Sequence, residues 1–330
     1  MAPLAIGIHG GCGALRRDLL SDAEWSEARE RLAASLRAGW AILARGGRSV
    51  DAVEAAVVVL EDSPQFNAGH GAAMTSAEDH ELDASIMDGA SLAAGAVCAV
   101  RRIRNPITAA RAVMDKSDCV LLAAGAADAF AESCGLAMVE NSYFTTDRRR
   151  QALASLKARA AAGTILCATE AEKHGTVGAV ALDAAGHLAA ATSTGGFNNK
   201  APGRIGDSAI IGAGTYARDG VCAVSCTGQG EFFIRHAAAH EITARMMYAG
   251  QSLQKATDAI VSEIMPSYGI GAGLVAVDAQ GRVCAPFNTL GMYRGWVTAD
   301  GEMTVATHQQ LHAMGRLARI NNCRLLNSIS

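Results

Sequence analysis

His174-Gly175-Thr176-Val177-Gly178-Ala179-Val180-Ala181-Leu182-Asp183 lies just past the midpoint of the chain and opens an apolar run. A small residue followed by a threonine at the mouth of a buried strand is where an N-terminal nucleophile would be made. A threonine hydroxyl is a poor nucleophile at neutral pH and needs an adjacent base. If the bond before Thr176 is cut, its own α-amino group, with an ordinary pKa near about 8, becomes a base within reach of its hydroxyl. Gly175 suits the cut, because a residue without Cβ can take the strained geometry that brings the Thr176 hydroxyl to the preceding carbonyl. The ten residues alone fit equally well an ordinary strand threonine after an ordinary turn.

Outward from this stretch the pattern is β: Val177 to Leu182, a turn at Ala185-Gly186, then Leu188 to Thr192, a hairpin leading to Ser193-Thr194-Gly195-Gly196. Further strands are expected at Ala209 to Ile211 and Val221 to Ser225. Two helices follow, at Glu231 to Tyr248 and Ser252 to Ile264, and then a closing hairpin of Gly273 to Val277 with Val283 to Pro286. Upstream, Leu4 to His9 reads as a strand running into Gly10-Gly11-Cys12-Gly13. That turn does not read as a phosphate loop, since no Gly-Lys-Ser/Thr follows and the spacing is not GxGxxG. Ser21 and Glu24 form a capping box before a long helical pattern that closes at Gly46-Gly47. Ser49 is expected to cap a second helix that ends before Pro64. Strand-like runs at Glu81 to Met87 and Leu92 to Val100 are followed by a helix from Pro106, a short apolar run at Cys119 to Ala123 and a helix at Ala126 to Cys134. Residues 141–175 turn polar, basic and Ala-rich, as in a surface connector that is helical around Arg148 to Ala161 and mobile nearer Thr176. Past Gln309, the spacing of Leu311, Met314, Leu317 and Ile320 suggests a docking helix or a loose tail. Each half thus contributes strands and a pair of helices, and two packed antiparallel sheets with helices outside cover every apolar face.

Composition narrows the function. At 330 residues with half of them apolar, the chain can bury one large core or two ordinary ones. The net charge of −3 and the scattered basic residues give no footprint for nucleic acid. No apolar stretch is long enough to span a bilayer and Met1 to Ile8 does not read as a signal peptide, so the expected compartment is the cytoplasm. The nine cysteines show no CxxC and no pairing pattern, and are read as mainly reduced core residues. His236 and His240 share an i, i+4 spacing, but Ala237 stands where a His-Glu-x-x-His site needs its acid.

Five stretches in register carry a more specific message: Thr176 to Ala181, Thr192 to Gly196, Pro202 to Ser208, Ser225 to Glu231 and Pro286 to Arg294. Ile8-His9-Gly10-Gly11, Phe66-Asn67-Ala68-Gly69 and Glu81 to Gly89 add to them from the N-terminal half. Together they resemble the plant-type L-asparaginase and isoaspartyl peptidase family, N-terminal nucleophile (Ntn) hydrolases of the threonine type, over most of residues 4 to 308. The resemblance implies an αββα sandwich of one domain, cut between Gly175 and Thr176 into an α subunit (1–175) and a β subunit (176–330). Residues 141–175 form the mobile connector and 309–330 a C-terminal extension.

Carried over residue by residue, the resemblance makes Thr176 the nucleophile and Thr194 the hydroxyl beside it. Arg204 becomes the grip on the substrate α-carboxylate and Asp207 the acceptor of its α-ammonium, one charge for each end of an amino-acid zwitterion. Thr227 and Gly228 become the oxyanion hole, and Asn67 a neighbour of the nucleophile from the other half. It also implies a structural sodium ion at backbone carbonyls of Glu61 to Gly69, no side-chain metal and no catalytic cofactor. The expected activity is hydrolysis of L-asparagine and β-aspartyl dipeptides through an ester on Thr176, by a dimer of cleaved heterodimers. A glycosylasparaginase-like hydrolase is the related alternative. An uncleaved amino-acid-binding protein that keeps Arg204 and Asp207 is the alternative of another class.

Overall fold

The computed structural model describes residues 2–13, 15, 18, 20–162, 175–309 and 311–317. In chain order the elements are β1 (Ala5–Gly13), α1 (Asp22–Leu43), α2 (Ser49–Glu61), β2 (Leu82–Asp88), β3 (Ala94–Val100), α3 (Pro106–Lys116), β4 (Leu121–Ala123), α4 (Ala124–Ser133) and α5 (Asp147–Ala161). After Thr176 come β5 (Val177–Leu182), β6 (Leu188–Thr194), β7 (Thr215–Arg218), β8 (Cys222–Gly228), α6 (Gly230–His236), α7 (Ala238–Ala249), α8 (Leu253–Asp258) and, beyond a π-helical turn at Ala259–Ile264, α9 (Met265–Ser267). The chain closes with β9 (Ala272–Asp278), β10 (Val283–Cys284), β11 (Gly291–Val297), β12 (Glu302–Ala306) and β13 (Leu311–Arg316).

The strands build a nine-stranded sheet of order β13-β12-β11-β1-β5-β6-β2-β3-β4 and a four-stranded sheet of order β10-β9-β8-β7. Pairing is antiparallel apart from β3 with β4, which run parallel. Three apolar clusters mark three interfaces between four layers. One places α1, α2 and α3 on the large sheet, one lies between the sheets, and one places α6 to α9 on the small sheet. This is the αββα order.

Period-two alternation sorts each strand between these interfaces. On β5, Val177, Ala179 and Ala181 face the helices while Val180 and Leu182 face the second sheet. On β8, Cys222, Val224 and Cys226 face the outer helices, which leaves Ala223, Ser225 and Thr227 between the sheets. The inter-sheet layer is therefore apolar at one end, with Ala5, Val180, Leu188 and Val277. At the other end it carries buried hydroxyls, and Thr176 sits there.

The Ser21–Glu24 capping box forms as expected, with both reciprocal hydrogen bonds in place. Four expectations are corrected. Ser49 does not cap α2: it is the first helical residue, and its N–H donates to the Asp183 carboxylate at 2.9 Å, so the start of α2 is satisfied from the end of β5. Ala209 to Ile211 is no strand, because Asp207–Ala209 forms a 3-10 turn and the strand begins at Thr215. The helix expected from Glu231 to Tyr248 breaks at Ala237, whose φ of 46° is left-handed, and His236 and His240 fall on different helices. Leu311 to Arg316 is a strand rather than a helix, paired to β12 with Ala306 opposite Leu311. Its three-residue apolar spacing misled, since Leu311 is 54% exposed on the edge strand; Ile320 lies outside the described residues, as does the connector stretch 163–174.

Candidate active site

Thr176 stands where the chain enters β5, between β1 and β6, and is buried. Its hydroxyl donates to Thr194 Oγ1 at 3.2 Å, and Thr194 Oγ1 also accepts the Gly196 N–H at 3.0 Å. The Gly175 carbonyl accepts the backbone N–H of Asn67 at 3.2 Å. The Asn67 side chain ties its own loop to the one after β6, accepting from Ala73 N–H and donating to the Gly196 carbonyl. Asn67 therefore meets the Gly175–Thr176 bond through its backbone. Close approach is what Gly175 needs, because a Cβ there would lie 2.4 Å from Asn67 Cβ.

The Thr176 carbonyl is held from the other side. His9 Nδ1 lies 3.0 Å from it and His9 Nε2 lies 2.9 Å from Ser225 Oγ. Burial pushes the imidazole pKa down to about 3, against the raising pull of the Thr176 carbonyl, so the ring is neutral at physiological pH. A carbonyl only accepts, so Nδ1 carries the proton and Nε2 must receive one from Ser225. The chain of hydroxyls continues from Ser225 to Thr192 at 2.7 Å, to Thr215, and to Ser85, which donates to the Ser208 carbonyl at 2.6 Å. Gly178 makes room for this, since a Cβ there would lie 1.9 Å from Ser225 Oγ.

Charge gathers beside the hydroxyls. A Cβ on Gly196 would lie 3.3 Å from Arg204 Nη1, which places the guanidinium next to the Thr194 loop. Arg204 stacks on Phe197 at 4.6 Å and pairs with Glu231 at 2.9 Å through Nε and Nη2. Three residues on, Asp207 is buried and its Oδ2 has no hydrogen-bond partner. Burial raises its carboxyl pKa to about 7, with Arg204 pulling the other way. Lys200 is fully buried, donates to the Glu81 carbonyl at 2.6 Å, and has its pKa lowered by burial while Asp83 opposes the shift. Thr227 is buried and its Oγ1 accepts the Cys12 N–H at 3.4 Å, one residue from Gly11, which packs against Gly175. Gly228 pairs with Ala272 at the end of β8.

The structure thus puts Thr176, Thr194, Asn67 and Gly175 in direct contact, sets Arg204 against the Gly196 loop with Asp207 three residues beyond it, and ties Thr227, next to Gly228, to the bulged end of β1 that packs on Gly175. An asparaginase family model matches residues 2–307. This chain belongs to the asparaginase family. The isoaspartyl peptidase of Escherichia coli is 46% identical over 315 residues, covering 94% of this chain and 98% of that protein. The isoaspartyl peptidase/L-asparaginase of Xenopus laevis is 40% identical over 290 residues, 88% and 90% of the two chains. Its counterpart in Homo sapiens is 39% identical over 307 residues, 92% and 95%.

Sequence reasoning missed several partners in this asparaginase-family site. His9, Ser225, Thr192, Thr215 and Ser85 were given no role, although Ser and Thr recurring at every second position of apolar strands is a readable sign of a buried polar face. Lys200 and Glu231 were also missed. Among the described residues no group of three His, Cys, Asp or Glu forms a metal site, and no helix is long and apolar enough to cross a membrane.

Proposed function

We propose that this chain cleaves itself between Gly175 and Thr176 and then hydrolyses L-asparagine and β-aspartyl dipeptides through an ester on Thr176. The observation that carries the reading is the Thr176 hydroxyl, which donates to Thr194 at the mouth of β5 while a buried carboxylate oxygen of Asp207 stands unpartnered nearby. In self-cleavage Thr176 Oγ1 attacks the Gly175 carbonyl carbon, the C–N bond breaks to leave an ester and a free amine, and water hydrolyses the ester. The Asn67 N–H on the Gly175 carbonyl is placed to hold the negative charge of that attack.

In turnover the freed amine takes the hydroxyl proton and passes it to the leaving ammonia or amine; it then deprotonates the water that releases aspartate. Thr227 and Gly228 supply the oxyanion donors. Arg204 takes the α-carboxylate, for which the substrate competes with Glu231, and ionised Asp207 takes the α-ammonium.

The sodium expectation fits the loop. A Cβ on Gly71 would lie 2.8 Å from the Pro64 carbonyl and 2.9 Å from that of Phe66, so carbonyl oxygens crowd the inside of the turn. The carbonyls of Glu61 to Gly69 would hold the ion, a hard cation suited to such donors. It would steady the loop that carries Asn67 and take no part in bond making. A dimer of cleaved heterodimers in the cytoplasm completes the proposal, and size-exclusion mass measurement tests its assembly.

The decisive experiment is intact mass and a denaturing gel of purified protein over several days beside Thr176→Ala. The wild type, 34.0 kDa, splits into pieces of about 18 and 16 kDa, scaled from chain length, and gains activity while the variant stays whole. A wild type that stays whole with aspartate bound would instead establish the amino-acid-binding reading.

A further inference from the structure

Arg294 on β11 lies opposite His9 of β1 in the sheet register, yet it belongs to a different cavity. A space of about 400 Å³ opens between the β10 edge of the small sheet and β11 of the large one, lined among others by Asp258, Ser262, Phe287, Arg294, Trp296 and Gln309. The Arg294 residue is only 5% exposed. Its guanidinium stacks on Phe287 at 4.6 Å, and Nη1 donates to the Met292 carbonyl at 3.1 Å. No carboxylate of the described residues comes within 4 Å, whereas Arg111 and Arg204, also largely buried, are each matched by acids. Burial alone lowers its pKa, to about 10, so it stays charged at neutral pH with no counter-ion among the described residues.

A buried cation that is not paired is costly, and an arginine held flat on an aromatic ring presents its remaining N–H groups as a planar fork. We propose that this cavity binds a small oxyanion, a carboxylate or a phosphate, through the open edge of Arg294, with the ligand's body lying against Phe287 and Trp296. Ser262 and Gln309, both exposed, form its mouth and supply hydroxyl and amide donors. The fork matches the two oxygens of a carboxylate, and the negative charge of Asp258 in the lining disfavours a dianion, so acetate binds more tightly than inorganic phosphate.

Calorimetric titration of the full chain tests this. The Arg204→Gln background removes the carboxylate grip of the catalytic site, so that acetate and inorganic phosphate report the second cavity alone. The expected result is one saturable site in the millimolar range or tighter, weakened at least tenfold when Arg294→Gln is added. Ser262→Asp, at an exposed position where folding is not at stake, sets a carboxylate at the mouth and weakens binding by a similar factor. Absence of saturable binding by either anion in the Arg204→Gln protein overturns the proposal. So does binding that Ser262→Asp and a folded Arg294→Gln both leave unchanged. Binding of phosphate in preference to acetate assigns the site to phosphate and overturns the ranking by Asp258.

Discussion

Ser225→Ala tests whether the buried hydroxyl chain positions Thr176, the proposed nucleophile. The Ser225 hydroxyl is the donor to His9 Nε2 at 2.9 Å and the acceptor for Thr192 at 2.7 Å. When it is removed, Thr192 can turn to the Gly214 carbonyl, 3.3 Å away, but Nε2 has no other partner and the site is closed to water, with His9, Thr192 and Ser225 all 0% exposed. Moving the ring proton to Nε2 gives no relief, because it would aim a lone pair at the Thr176 carbonyl. One buried acceptor is left unsatisfied, a loss of about 1–3 kcal/mol, or roughly 1–4 °C in Tm for a chain of this size. With the ring pinned at one end only, the Thr176 carbonyl loosens, and we expect kcat to fall about tenfold with KM within about twofold, as for a displaced but intact reacting group. Thr192→Ser, which keeps every hydroxyl, changes neither quantity. Thermal unfolding and initial rates of aspartate release check both, and a Ser225→Ala protein with unaltered Tm and kcat refutes the reasoning.

The proposed role of Asp207 gives a pH signature: a carboxyl that holds the substrate ammonium must ionise and its pKa is raised to about 7, so KM for asparagine rises about tenfold per unit as pH falls below 7. Asp207→Asn flattens that profile at a higher KM. Glu61 is buried, accepts from Ser193 Oγ at 2.6 Å and Ile107 N–H at 3.0 Å, and has its pKa raised by burial to about 8. The folded state therefore holds this proton more tightly than the unfolded chain, and stability falls as pH rises from about 4.5 to about 8. Denaturant unfolding at pH 8.5 should find Glu61→Gln more stable, on the order of 3 kcal/mol, with little difference below pH 4.5. Glu231→Gln removes the competitor for Arg204 and lowers KM severalfold, read from initial rates.

The parts of the fold fixed by local chemistry were legible. The Ser21–Glu24 box, Pro106 at the first turn of α3 and the Val177–Leu182 run all act through neighbours in sequence. Partner choice was not, because an apolar, Gly-rich run says that β1 is buried but not that β11 and β5 flank it. The break at Ala237 carries no signal, since nothing in an Ala-rich stretch marks one alanine as left-handed. At the site, the residue types were readable from the motifs, while their couplings were not. Glu231 closed one of those motifs, yet its pairing to Arg204 exists only once β8 and the loop after β6 meet. Gly175 was read for its backbone freedom alone, whereas the contact that excludes a Cβ there comes from Asn67, 108 positions earlier in the chain.

The order β11-β1-β5 and the pairing of β6 with β2 have a consequence for a chain divided before Thr176. The N-terminal piece inserts β1 between two strands of the C-terminal piece and lays β2 along a third, so the pieces are threaded through one sheet rather than docked side by side. Separation would then require unfolding, and refolding would become a second-order reaction between two unlike polypeptides. The midpoint of denaturation would shift with protein concentration for the divided form and stay fixed for Thr176→Ala. Such an enzyme is assembled once, as a single chain, and outlives that chain's continuity by the slowness of its own unmaking.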